Sequence, residues 1–248
     1  MKKMRKSSKT KTDLHGREDG HAGGRIETKP KRRMNMKKHI CMLGCVMLGA
    51  LAACSSGSTS SSDDAHTFAS PITMPDWLWE METTYDGHVI VGDEEKMRFV
   101  VGIAVENVRH ETGGPFSAAI FDIKTDRLIA LGVNSVVPSK QSWTHAEMTA
   151  FAHAQSKLNT GSLKGCMLVT SCEPCAMCSG ATPWSGVERV IYGAPRDMAE
   201  KVGFDEGYKG RFWEEEFESR KIHVAGPMLG EEAFAPFELY QKKHGTIY

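Results

Sequence analysis

Apolar residues recur at helical spacing from Asp93 to about Arg109, where Met97, Val100, Val101, Ala104 and Val108 share one face and Asp93 stands as the cap. Gly113-Gly114-Pro115 breaks that pattern. Phe116 to Phe121 and Leu128 to Val136 then predict two strands joined across Lys124-Thr125-Asp126, a β-hairpin. From His145 to about Leu158 the composition is Ala-rich and helical, stopping before Gly161. Met167 to Thr170 predicts a short buried strand, a helix begins near Cys175, and Arg189 to Ala194 is a further strand. An acidic helical stretch near Glu214 to Arg220, a strand at Ile222 to Ala225 and a helix from Glu231 to about Lys243 complete the pattern. Strands and helices alternating at these lengths predict an α/β fold, a three-layer domain with a mixed central sheet.

The N-terminal part follows a different rule. An apolar run from Ile40 to Ala53 follows Met36-Lys37-Lys38-His39. It is too short to span a bilayer core of about 30 Å as a helix, but it has the basic start, apolar centre and small-residue finish of a secretory signal. Its ending, Leu51-Ala52-Ala53-Cys54, resembles the lipobox of bacterial lipoproteins, which implies lipidation at Cys54. The expected organisation is a disordered basic extension at 1–35 (untranslated if Met36 is the start), a lipoprotein signal at 36–53, a Ser-rich linker at 54–69 and a folded domain at 70–248. Within that domain 70–92, with Trp77 and Trp79, receives no element. The expected location is a membrane-anchored lipoprotein facing the periplasm or cell exterior, or the cytoplasm if the signal is unused. Arg32-Arg33 partly resembles a twin-arginine export signal.

Charge changes the picture once the leader is set aside. The whole chain balances 31 basic against 31 acidic residues, but from Cys54 onward there are 17 against 27. An acidic domain repels polyanions, so nucleic acid is not the expected partner.

Cysteine placement brings in the chemistry. Cys41, Cys45 and Cys54 fall in the leader, and Cys166, Cys172, Cys175 and Cys178 in the domain. Spacings of three suit metal ligation or redox chemistry better than a disulfide framework. Two segments stand out, Thr144-His145-Ala146-Glu147 and Ser171-Cys172-Glu173-Pro174-Cys175-Ala176-Met177-Cys178. His-x-Glu followed by Pro-Cys-x-x-Cys is the signature of zinc deaminases. Cys175 and Cys178 at a helix start share one face, and Pro174 suits the entry to that helix. The positive end of the helix dipole favours both thiolates. With His145 as a third ligand, a tetrahedral Zn2+ (one per subunit) keeps one position open for water, the mark of a catalytic site. Glu147, two residues beyond the ligand, is then the proton shuttle. A Cys-x-x-Cys also occurs in redox and structural zinc sites, and Cys172, Cys175 and Cys178 echo the start of a ferredoxin cluster run. That run needs a fourth Cys where Thr182 and Pro183 stand. Cys172 is expected to be a buried thiol.

On these motifs the chain from about Asp93 to Tyr248 resembles the cytidine deaminase superfamily, and within it the bacterial guanine deaminases. The resemblance implies the three-layer α/β/α fold of that superfamily and hydrolytic deamination of a free heterocyclic base, guanine to xanthine and ammonia. It rests further on Gly113-Gly114-Pro115-Phe116, Asn134, Trp184, Gly203-Phe204-Asp205-Glu206-Gly207 and Ile247-Tyr248. It implies base contacts from Phe116, Asn134, Trp184 and Tyr248, and a second proton shuttle at Glu206. It also implies a homodimer, which in some members is swapped at the C-terminus. Cytosine, a nucleoside or an aminotriazine, or a tRNA adenosine, are the alternative substrates. A zinc-stabilised surface lipoprotein that only binds is the non-enzyme alternative, against which the intact Glu147 argues.

Overall fold

The computed structural model describes residues 72–208, 210 and 213–248. The signal, linker and Cys54 lie outside the described residues. Helix α1 (Asp76–Tyr85) comes first, then α2 (Asp93–Arg109), β1 (Ser117–Asp122), β2 (Leu128–Val133) and a short turn of helix, α3 (Val136–Ser139). There follow α4 (Ala146–Leu158), β3 (Cys166–Cys172), α5 (Ala176–Ser185), β4 (Arg189–Ala194), α6 (Arg196–Val202) and α7 (Trp213–Ser219). The chain ends with β5 (His223–Ala225), a 3-10 turn (Gly230–Phe234) and α8 (Ala235–Lys242).

The sheet has five strands in the order β2-β1-β3-β4-β5. β1 pairs antiparallel with β2 and with β3, while β3, β4 and β5 run parallel, so the sheet is mixed. Side chains alternate between its faces, as a period of two requires. Ala119, Phe121, Leu131, Val169 and Ile191 pack with α1, α2, α6 and α8. Ala118, Ile120, Ala130, Leu168 and Val190 pack with α4 and α7. Three layers result, as the patterning predicts.

The expected elements are present, with shifted ends. Asp93 is the first residue of α2 and not its cap; Gly92 precedes it, and both Asp93 carboxylate oxygens instead accept from Arg189 on β4, at 3.1 and 2.5 Å. The last predicted helix divides because Pro236 can open a helix but not continue one, so 230–234 forms the 3-10 turn. The sequence pattern gives no counterpart to α1, α3 or α6, and Val136, expected at the end of the second strand, opens α3 instead. Among the described residues, no helix is long and apolar enough to cross a membrane.

α1 closes the outer edge of β2. Glu82 Oε2 accepts the Leu131 N–H at 2.6 Å, His153 Nδ1 lies 2.8 Å from the Leu131 carbonyl, and Lys157 donates to the Ile129 carbonyl at 2.8 Å. An edge strand left open would offer these groups to another chain. On the opposite face of β2, Gly132 lets α4 approach until the backbones touch; a Cβ there would overlap Ala146 O and Ala150 N. That contact sets the depth of α4, and with it the depth of His145 and Glu147.

Candidate active site

Two helix N-termini meet above the parallel strands. His145 is the N-cap of α4 and Cys175 the N-cap of α5, both in extended conformation. Glu147 and Cys178 lie in the first turns of these helices, both buried. The Cys175 Sγ accepts the Cys178 N–H at 3.5 Å and lies 3.5 Å from His145 Nδ1. Helix N-termini carry unsatisfied N–H groups and a positive dipole end, a setting that stabilises thiolates.

Before a metal binds, the three groups share protons unequally, and Cys175 carries the thiolate. The Cys178 hydrogen bond pulls the Cys175 thiol down to about 4 against the cost of burial, and His145 adds to the effect. Cys178 goes the other way, driven up by its bond to Cys175, by burial and by Glu147. Burial opposes a proton on His145, but the Cys175 hydrogen bond and the charges of Cys175, Glu147 and Glu206 outweigh it. Glu147 is raised, by burial first and by the Cys175 charge second. One nitrogen and two sulfurs whose ligating atoms all lie within 4.8 Å of one another make a soft, converging donor set. Such a set fits zinc with a fourth position open. His145, Cys175 and Cys178 are the zinc-binding triad.

Beside the triad is a cavity of about 290 Å³, lined among others by Phe116, Asn134, His145, Glu147, Glu206 and Tyr248. Asn134 follows the end of β2 and is held by its own backbone, whose N–H donates to Phe116 O at 3.0 Å. Glu206 is buried on the loop after α6, and its carbonyl accepts the Ala176 N–H at 3.0 Å, so the loop caps the zinc helix. Phe204 on the same loop meets Phe116 edge-on, with centroids 4.9 Å apart, and Tyr248 at 5.4 Å.

Tyr248 reaches the cavity of its own chain. Gly245 lies flat against the Tyr240 ring, and Tyr240 Oη donates to the Thr246 carbonyl at 2.7 Å, turning the tail inward. Tyr248 Oη is buried beside the Asn134 side chain without a hydrogen bond of ordinary geometry. Burial, then Tyr240 and Glu206, keep its phenol protonated.

One expected contact is not made within the chain. Trp184 is 87 % exposed at the far end of α5 and does not line the cavity. It lies seven residues beyond the exposed Met177, on the same outward stripe of the helix, so nothing turns it toward the base. The sequence reading missed Val136, Ser142, Glu173 and Phe204 on the cavity wall. Phe204 and Glu173 had a signal, one standing two residues before Glu206 within its motif and the other directly before Pro174-Cys175; Val136 and Ser142 had none.

The model of the cytidine and deoxycytidylate deaminase zinc-binding region matches residues 91–194. The guanine deaminase of Bacillus subtilis is 36% identical over 148 residues, which is 60% of this chain and 93% of that protein. The solved guanine deaminase of Nitrosomonas europaea is similar at 38% identity and a TM-score of 0.65, over 69% of this chain and 95% of that one. A further solved structure, a complex with 2,6-diaminopurine, matches at 38% identity and a TM-score of 0.67, over 71% and 95% of the two chains. The chain belongs to the cytidine and deoxycytidylate deaminase zinc-binding family, as a guanine deaminase-like aminohydrolase.

Proposed function

We propose that this chain hydrolyses the 2-amino group of free guanine, giving xanthine and ammonia. The observation that carries the reading is one cavity lined by Glu147 and His145 together with Asn134, Glu206 and Tyr248. A free base fits a space of about 290 Å³ closed by the C-terminal tail. Phe116 and Phe204 supply apolar walls, while Asn134, Glu206 and the Tyr248 hydroxyl offer polar contacts to the ring edge. Relatives support the choice, since purine complexes are known among similar structures, with 2,6-diaminopurine and 8-azaguanine.

Zinc, when bound, lowers the pKa of water to about 7 and so makes it nucleophilic at neutral pH. The chain's own residues move the protons. Glu147 takes the proton from the attacking water and delivers it to the ring nitrogen beside C2. After the oxygen has added at C2, the second water proton passes by the same carboxylate to the amino nitrogen. The C2–N bond then breaks and ammonia leaves. Burial keeps the Glu147 carboxyl ready to hold a proton between these transfers. Glu206, buried in the same cavity wall, serves as the second carboxylate for the leaving amine.

Ammonia release from guanine by the zinc-loaded protein tests the reading. It is expected to vanish in Glu147→Ala protein that still binds one zinc. Full activity in that variant overturns the mechanism. A stronger response to cytosine, nucleosides or aminotriazines overturns the substrate, and zinc without turnover on any of them favours the binding-only alternative.

Assembly and location belong to the same proposal. Met177 and Trp184 are exposed apolar residues one above the other on the outer side of α5, the first next to the zinc ligands. A second copy of the chain covers them, giving a homodimer that Trp184→Glu would dissociate in sedimentation experiments. Cys54 is the lipidation site; a Cys54→Ser chain that still partitions into membranes would refute the anchor.

A further inference from the structure

Asn107, near the end of α2, is completely buried yet lies outside the cavity lining. Its Nδ2 donates to two carbonyls, Gly114 O at 2.8 Å and Asn134 O at 2.9 Å. Its Oδ1 accepts from Thr112 Oγ1 at 2.7 Å, and that hydroxyl in turn accepts from Trp77 Nε1 at 3.0 Å. Trp77 stands on α1, with its ring stacked on His110 at 5.0 Å and 5°. A continuous set of buried and half-buried hydrogen bonds therefore runs from α1 to the backbone of Asn134.

Geometry leaves this set little freedom. Both hydrogens of the Asn107 amide are used, and its oxygen is fixed by Thr112, so the amide cannot turn over without losing three bonds. Gly113 passes so close to Asn134 that a Cβ there would overlap the Asn134 carbonyl. Asn134 is thus held through its carbonyl by Asn107 and through its N–H by Phe116 O. A side chain whose backbone is clamped at both ends is pre-positioned for a ligand.

We infer that Asn107 is a positioning residue for Asn134, and that α1 is part of its support through Trp77 and Thr112. The inference rests on the proposal that Asn134 contacts the base. Asn107 touches no substrate; it acts by fixing the carbonyl of the residue that does. α1 thereby closes the β2 edge and also steadies one wall of the purine cavity.

Asn107→Asp keeps the shape but sets an acceptor against two carbonyls. Losing this buried donor is expected to raise KM for guanine about tenfold, with kcat changed less than threefold and one zinc per chain retained. An interaction equally present in ground and transition states moves KM and not kcat. Trp77→Phe, which keeps the stack on His110 and removes the N–H, is expected to raise KM two- to threefold, roughly the loss of one half-buried hydrogen bond. Should Asn107→Asp not fold, Thr112→Val tests the same amide by freeing its oxygen. An unchanged KM, or kcat falling as much as kcat/KM, overturns the inference. If the unaltered protein fails on guanine, the functional reading fails separately. Hydrogen exchange at Gly114, Phe116 and residues 134–136 then decides, since the variant must exchange faster there, and equal rates overturn the positioning role.

Discussion

The Glu147 carboxylate stands 3.3 Å from the Cys178 sulfur, the two being held in the first turns of different helices. On the proposed mechanism, the proton carrier is therefore fixed at the edge of the zinc triad without belonging to it. Glu147→Gln keeps the volume and removes the ability to carry a proton. Its zinc content, measured by atomic emission, is expected to stay at one per chain, while ammonia release falls by about 10²–10⁴-fold. Zinc lost together with activity would make Glu147 a ligand and reverse the assignment.

Removing the metal tests a different property of the triad. Its ligands come from α4 and α5, so a bound ion ties the N-termini of two helices together. Free metal a thousandfold above its Kd adds about 4 kcal/mol to the folded state. For a domain of this size that is roughly 8–16 °C in Tm. Chelation is expected to lower the melting temperature by that amount, and added zinc to restore both Tm and turnover. Recovery of Tm without activity would separate structure from catalysis at this site.

Spacing along the chain carries some of the site and not the rest. His145, Glu147, Cys175 and Cys178 could be read because their chemistry depends on neighbours two or three residues away, a distance set by helix geometry. Asn134 and Glu206 needed a resemblance, since their meeting depends on how a strand end and a loop fold over α5. Trp184 shows the limit, because its helix was foreseen but not the side of the helix that faces solvent. α1 was invisible for another reason. Its two buried residues are Leu78 and the charged Glu82, so no run of apolar positions marks its inward face, and its place is fixed by hydrogen bonds to β2 and Thr112.

Gly132 sets how closely α4 lies on the sheet. Gly132→Ala would push a methyl group into the α4 backbone between Ala146 and Ala150. Overpacking of this kind costs about 1–3 kcal/mol, and because backbone cannot swing aside, α4 must retreat as a unit. The variant is expected to melt lower and to bind zinc more weakly, since His145 moves with the helix. Competition with a chromophoric chelator measures the second effect. An unchanged zinc affinity would show that the His145 end of α4 is positioned independently of β2.

Glu82 covers the sheet edge. Glu82→Ala leaves the buried Leu131 N–H without its acceptor and removes the carboxylate 3.7 Å from Lys157. The expected loss is about 1–3 kcal/mol in urea unfolding, with faster exchange of the Leu131 amide. Glu82→Gln retains an acceptor and is expected to lose less. Equal losses in the two variants would assign the effect to the ion pair and not to the edge.

Gly114 and Tyr248 form a pair whose coupling is measurable. The phenol hydroxyl occupies the space where a Gly114 side chain would begin, and an added Cβ would also stand 3.2 Å from Asn134 Oδ1. Gly114→Ala is therefore expected to expel Tyr248, and each of Gly114→Ala and deletion of Tyr248 to raise KM for guanine roughly tenfold, the loss of about one buried hydrogen bond to the base. Since both changes remove the same contact, the double variant is expected to be no worse than either single one. Multiplying effects would show instead that the alanine acts through Asn134, with Tyr248 contributing on its own. Either result separates the polar groups at this end of the cavity, which geometry alone places side by side.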